Sequence, residues 1–146
     1  MRDRKDSGYT VIELIVTVGL AALLMGGAII SMQSLRQPAD EGASEVVSFL
    51  KLVRARALIS VRAYRVAPIS TTRLAASYAS SCSAATFTTD SSLALKLPNH
   101  SSLAATNWSI CYTSRGIAES NLSFVVRDSE KSRTIQIALG GGVQVQ

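Results

Sequence analysis

The chain has 146 residues, of which 47% are hydrophobic, 17% charged and 5% aromatic, with fifteen basic against ten acidic residues and a formal charge of +5. That is the size of one compact domain with an aliphatic core, and the sequence is too apolar for a disordered chain. One histidine, His100, and two cysteines, Cys82 and Cys111, are a poor supply for a zinc site and leave a Ser-His-Asp triad a single candidate base. With no phosphate loop, zinc motif or acid/base pair in the sequence, we expect no catalytic residue, no metal and no cofactor.

Residues 1–8 are polar, with Arg2, Arg4 and Lys5 against Asp3 and Asp6. The composition then switches: residues 14–35 are 22 positions without a charge. At about 1.5 Å per residue such a helix spans the roughly 30 Å hydrocarbon core of a bilayer. The basic residues precede it, which puts the N-terminus in the cytoplasm and the bulk of the chain outside. A secretory signal peptide fits badly, because the run is long and no small-x-small site follows it. Glu13 lies at the start of this stretch, where a carboxylate costs about 2.5–3.5 kcal/mol and is paired or functional. No basic side chain is within reach along the helix. Its expected partner comes from elsewhere, such as an amine created on Tyr9 by cleavage after Gly8, in its own or a staggered neighbouring chain. Gly26-Gly27 is the expected weak point of this helix.

Farther on, Pro38 should bend a continuing helix. Residues 44–62 read as amphipathic, with Val46 or Val47, Leu50, Val53, Ala57 and Val61 on one face. Between Glu45 and Asp90 there is no acid but six Lys or Arg. A solvated polar face explains this, and a DNA-contacting patch of Lys51, Arg54, Arg62, Arg65 and Arg73 is the alternative. From Tyr64 the periodicity becomes that of strands. Arg65-Val66-Ala67 should end at Pro68, which is expected to terminate a strand or sit on an edge. Residues 70–92, with twelve Ser or Thr in 23 positions, read as a polar loop region with short strands. Residues 93–97 and 108–112 alternate. Residues 122–127 and 134–139 flank Asp128-Ser129-Glu130-Lys131, a hairpin signature. Gly140-Gly141-Gly142 permits a second turn before residues 143–146. His100 reads as a surface loop residue. Two cysteines in an exported head predict a Cys82–Cys111 disulfide. Three N-x-S sequences, at Asn99, Asn107 and Asn121, carry little weight.

Gly8-Tyr9-Thr10-Val11-Ile12-Glu13-Leu14, after a basic leader and before an uncharged helix, resembles the class III signal of type IV pilins and type II secretion pseudopilins. Tyr9 and Val11 stand where Phe and Leu are usual. The stretch 53–59 resembles, more loosely, a segment of the GspH/FimT group of minor pilins and pseudopilins. The resemblance implies an α+β fold, a long N-terminal helix packed on a small antiparallel β head. It divides the chain into a leader (1–8), a transmembrane and polymerisation helix (9–37), an amphipathic continuation (38–63) and a β-rich head (64–146). It further implies cleavage between Gly8 and Tyr9 by a prepilin peptidase, N-methylation of Tyr9 and residence in the inner membrane. From there an assembly platform would add the chain to a filament of other pilin or pseudopilin subunits, with Glu13 meeting the neighbour's N-terminus. The expected role is a structural subunit, not an enzyme. The alternative is a DNA-binding minor pilin of a competence pilus, weakened by Gln144 and Gln146 at a terminus where arginines would be wanted.

Overall fold

In a computed structural model of the protein, residues 10–21 and 37–146 are described. Gly8, Tyr9, the leader, Gly26-Gly27 and much of the expected membrane helix lie outside them. The chain divides into two compact units, Met1–Arg36 and Gln37–Gln146. In the first, residues 11–21 are helical with exposed side chains. Among the described residues no helix is long and apolar enough to cross a membrane.

The head opens with helix α1 (Pro38–Ser60). The expectation of a helix merely bent at Pro38 is corrected here. Gln37 is extended, with φ −99° and ψ 106°, and α1 starts afresh with the proline in its first turn. The physical reason is local: proline disfavours the helical conformation in the residue before it, yet suits the first helical position, where its missing N–H has no partner to lose. Gln37 supplies no side-chain cap. Asp128 does so from afar, its Oδ2 accepting from the Ala39 N–H at 3.0 Å. Its Oδ1 accepts from the Glu130 and Lys131 N–H groups, both at 2.7 Å. One carboxylate thus closes a hairpin turn and starts a helix.

Along α1, Ala39, Ala43, Val46, Leu50, Val53 and Ala57 are buried at alternating spacings of four and three, one continuous stripe. Full burial of Val46, Leu50 and Val53 contributes about 1.5–3 kcal/mol each. The predicted stripe holds up to Ala57 and fails at Val61. The helix ends at Ser60, and Val61 is its left-handed C-cap at φ 52°, bonded back to the Ala57 carbonyl and 72% exposed.

The stripe lies on two antiparallel four-stranded sheets, the expected small β head. The first is ordered β3–β2–β1–β5, from β1 (Ala63–Ser70), β2 (Arg73–Ala79), β3 (Thr88–Lys96) and β5 (Ile110–Tyr112). The second is ordered β4–β6–β7–β8, from β4 (Ser102–Leu103), β6 (Leu122–Arg127), β7 (Ser132–Ile137) and β8 (Val143–Val145). The reading of residues 70–92 as mainly loop is corrected: β2 and the start of β3 fill most of it. Serine and threonine tolerate strands well when one face is solvated, and only Leu74 and Ala76 of β2 need be buried. β1 also runs through Pro68, which pairs with Leu74 of β2 alone because β5 reaches only Tyr64–Val66. The proline therefore sits on a local edge, where its lost donor has no ladder to break.

The predicted hairpins at 128–131 and 140–142 are present, joining β6 to β7 and β7 to β8. Core residues from both sheets and α1 form one cluster around Leu50, Leu74, Tyr112, Val126 and Ile135. Gly42 is where α1 comes closest. A Cβ there would stand 2.9 Å from Ser101 Oγ and 3.2 Å from Val126 Cγ1, so any side chain would lift the helix.

Candidate assembly site and basic face

Glu13 is within the described residues, and its surroundings revise the expectation that its partner comes only from elsewhere. Thr10 precedes the helix of residues 11–21 and stands at its N-cap. The Glu13 Oε2 atom accepts from the Thr10 N–H at 3.0 Å and from the Thr10 hydroxyl at 3.1 Å. The Glu13 N–H points back to Thr10 Oγ1 at 3.4 Å. This is a capping box, in which a T-x-x-E sequence satisfies two otherwise orphaned amides reciprocally. The carboxylate is held at the N-terminal end of the helix, where the aligned peptide dipoles favour negative charge. The motif was open to sequence reading and was missed because the charge was weighed against lipid, not against the helix start. Gly8 and Tyr9 lie outside the described residues.

The five basic residues proposed to meet DNA are spread over α1, β1, β2 and the turn between α1 and β1. Arg73 pairs with Lys96 at one end of β2, while Tyr78, near the other end, carries Arg62 with its Cζ 5.0 Å above the ring. Five strand residues separate the two ends by about 17 Å. Arg65 donates to the Cys82 carbonyl at 3.0 Å and lies 3.8 Å over Phe87. Arg54 donates from Nε to the Gly116 carbonyl at 2.8 Å and from Nη2 to the Gly140 carbonyl at 3.0 Å. It clamps two turns, 113–116 and 138–141, to α1. Gly141 is at φ 76°, and a Cβ there would fall 2.3 Å from the Gly116 carbonyl oxygen, so the clamp needs a glycine. Lys51 lies exposed on α1. Arg54 and Arg65 thus serve as internal ties, and the use of Arg54 escaped sequence reading because its partners are 62 and 86 positions away.

Cys82 and Cys111 are bonded, as predicted. With Ala63 and Phe87 they form a second small apolar cluster. A Glu119 carboxylate oxygen lies within 4.8 Å of both sulfurs. Since the disulfide consumes the thiolates, one carboxylate remains, too few donors for a metal. Tyr112 is fully buried, and its hydroxyl has no hydrogen-bond partner among the described residues. Burial pushes its pKa up to about 12, with Arg54 opposing weakly. His100 is exposed in a turn, at φ 70°.

No protein-family model matches the sequence, and no curated protein does. Solved structures match the fold. The type IV minor pilin FimU of Pseudomonas aeruginosa aligns with a TM-score of 0.54 at 16% identity, over 74% of this chain and 87% of that one. The minor pseudopilin EpsH from the type 2 secretion system of Vibrio cholerae aligns with a TM-score of 0.53 at 13% identity, over 75% and 97%. The fold is therefore that of type IV pilins and pseudopilins, α1 laid across antiparallel sheets.

Proposed function

We propose that this chain is a minor pilin or minor pseudopilin, a structural subunit of a type IV pilus or a type II secretion pseudopilus. The observation that carries the reading is the conjunction of a pilin-type head with Gly8, Tyr9 and Glu13 in the arrangement of a class III signal. Each alone is weaker. In this reading a prepilin peptidase cuts between Gly8 and Tyr9, and the new amine is methylated. The chain waits in the inner membrane as a single-pass protein until an assembly platform adds it to the filament. Apolar burial is retained because the helix leaves lipid for a core of other helices. Glu13 then has two uses: it closes the helix start through Thr10, and it offers its charge to a neighbour's N-terminal amine.

The test is the mature N-terminus. Mass spectrometry of the protein extracted from producing membranes should find a chain beginning at methylated Tyr9, recovered also in sheared filaments or in pseudopili. A chain that keeps Met1, or that begins beyond residue 35, would overturn the proposal.

A further inference from the structure

We propose that the head carries a small-ligand site beside its disulfide loop, a cavity whose chemistry fits an oxyanion borne on a hydroxylated ring, as in a uronic acid or a sugar phosphate. The inference goes beyond the filament reading and does not depend on it.

The cavity measures about 390 Å³, at the small end of the range for ligand sites, about 300–1,000 Å³. It lies within the 37–146 unit. Tyr78 and Thr88, paired across β2 and β3, line it together with Ser80 and Thr86 of the 80–87 loop and with Arg62 from the turn between α1 and β1. Ala79 and Ala84 add only methyl groups, so the set is one cation, four hydroxyls and no acid. Ligand sites are usually apolar with a few polar groups. A lining of this kind suits a ligand that is itself hydrophilic.

The hydroxyls are unspent. Whereas Ser48, Ser60 and Ser101 donate to carbonyls of their own segments, Tyr78, Ser80, Thr86 and Thr88 make no side-chain hydrogen bond among the described residues. Each can donate and accept, which is what neighbouring hydroxyls on a ring require.

Charge is the second observation. Arg62 sits with its Cζ 5.0 Å from the Tyr78 ring centre, which steadies it while leaving its in-plane N–H donors available. The other charges nearby are matched. Arg56 acts on Asp90, which lies two positions beyond Thr88 and accepts from Ser92 and from the Tyr64 hydroxyl. Arg65 and Glu119 both stand at Cys82. Arg62 forms no ion pair among the described residues. A forked cation without a partner, in a lining without an acid, selects an oxyanion.

The loop is the third observation. Polar surface loops are ordinarily loose, yet this one is tied by the Cys82–Cys111 bond, by Arg65 on the Cys82 carbonyl and by Arg65 over Phe87. A turn from the Ser81 carbonyl to the Ala84 N–H, at 3.2 Å, shapes its centre. A wall fixed before the ligand arrives lowers the ordering cost of binding.

The experiment uses the full chain in detergent micelles and ligand-detected saturation-transfer NMR, with glucuronate, glucose phosphate, glucose and inorganic phosphate as probes. Glucuronate, glucose phosphate or both should bind, and their relative affinity identifies carboxylate or phosphate as the oxyanion. Arg62→Gln should weaken that binding about tenfold or more, and Arg62→Lys less. Ser80→Ala with Thr86→Ala should also weaken it, with the melting temperature of each variant reporting an intact fold. Arg73→Gln, at the far end of β2, should leave binding unchanged. Glucose binding as tightly as the acidic sugars would overturn the oxyanion assignment. Inorganic phosphate binding as tightly as glucose phosphate would overturn the saccharide assignment. No binding by either acidic sugar, or equal losses in Arg62→Gln and Arg73→Gln, would overturn the site itself.

Discussion

Under the proposed function one carboxylate, Glu13, serves two ends. Its hydrogen bonds to Thr10 close the helix start, which is worth having in either lipid or filament, where unpaired amides are costly. Glu13→Ala should leave the chain in the membrane, since the charge is the expensive element there. It should block or misalign incorporation, read by immunoblot of sheared filaments. Thr10→Ala, which keeps the charge and loses the box, should impair incorporation less; equal defects would mean that capping, not charge, is the assembly function. A second carboxylate pair acts in the head. Hydrogen bonding to Arg133 holds the Asp40 pKa below its ordinary 3.8, and backbone amides of Glu130, Lys131 and Ala39 do the same for Asp128. The folded chain therefore binds these protons less readily than the unfolded one. Their stabilisation is present above about pH 4 and drains away as the pH falls below it. Thermal melts between pH 6 and pH 2.5 should show this decline, and Asp128→Asn should flatten it.

Elements divide by how local their causes are. The buried stripe of α1, the two hairpin turns and the Cys82–Cys111 pair were legible, because each rests on spacing or on a few adjacent residues. The start of α1 was misjudged although its cause, a proline, is local: a long apolar run upstream suggested continuity, and Gln37 decides otherwise. β2 was lost because the surrounding 70–92 stretch is rich in serine and threonine and only Leu74 and Ala76 of the strand are buried, too few to mark a pattern. The pairing of sheets was not legible, since β5, which belongs to the first, lies in sequence between β4 and β6 of the second. Nor was the role of Arg54, whose partners are backbone carbonyls of distant turns. Each is a hydrogen bond from a charged donor, and Arg54→Ala should cost about 1–3 kcal/mol of head stability. Arg54→Lys should recover part of it at most, because a single ammonium cannot reproduce the fork. Denaturant titration measures both, and a loss within error of zero would show that the turns hold themselves.

At the scale of the molecule, stability and assembly fall to different parts. The disulfide closes a segment with a sequence separation of 29, worth about 3–4 kcal/mol in the chain-entropy account. It ties the 80–87 loop to β5, where few large apolar residues are available. Cys82→Ser with Cys111→Ser should lower head stability by about that amount in urea, without changing cleavage after Gly8, which depends on the other end of the chain. An unchanged midpoint would show the cross-link to be redundant with the strand pairing beside it.

The interleaving of the two sheets sets an order in which the head can complete itself as the chain is delivered. If the chain crosses the membrane from its N-terminal side onward, α1 emerges first and has nothing to lie on. β2 can pair with β1 as soon as it arrives, the strand on the other side of β1 is missing until Tyr112, and the last contacts of α1 with the second sheet wait for Val145. The first sheet is complete once Tyr112 has arrived, whereas the second, whose β4 precedes β5, waits for residues 122–145. Until the second sheet is in place, part of the apolar stripe of α1 stands uncovered next to unpaired strand edges. Such a species aggregates unless it is shielded. Completion of this head thus waits for β8, its last strand, while the first sheet with α1 laid on it can form earlier.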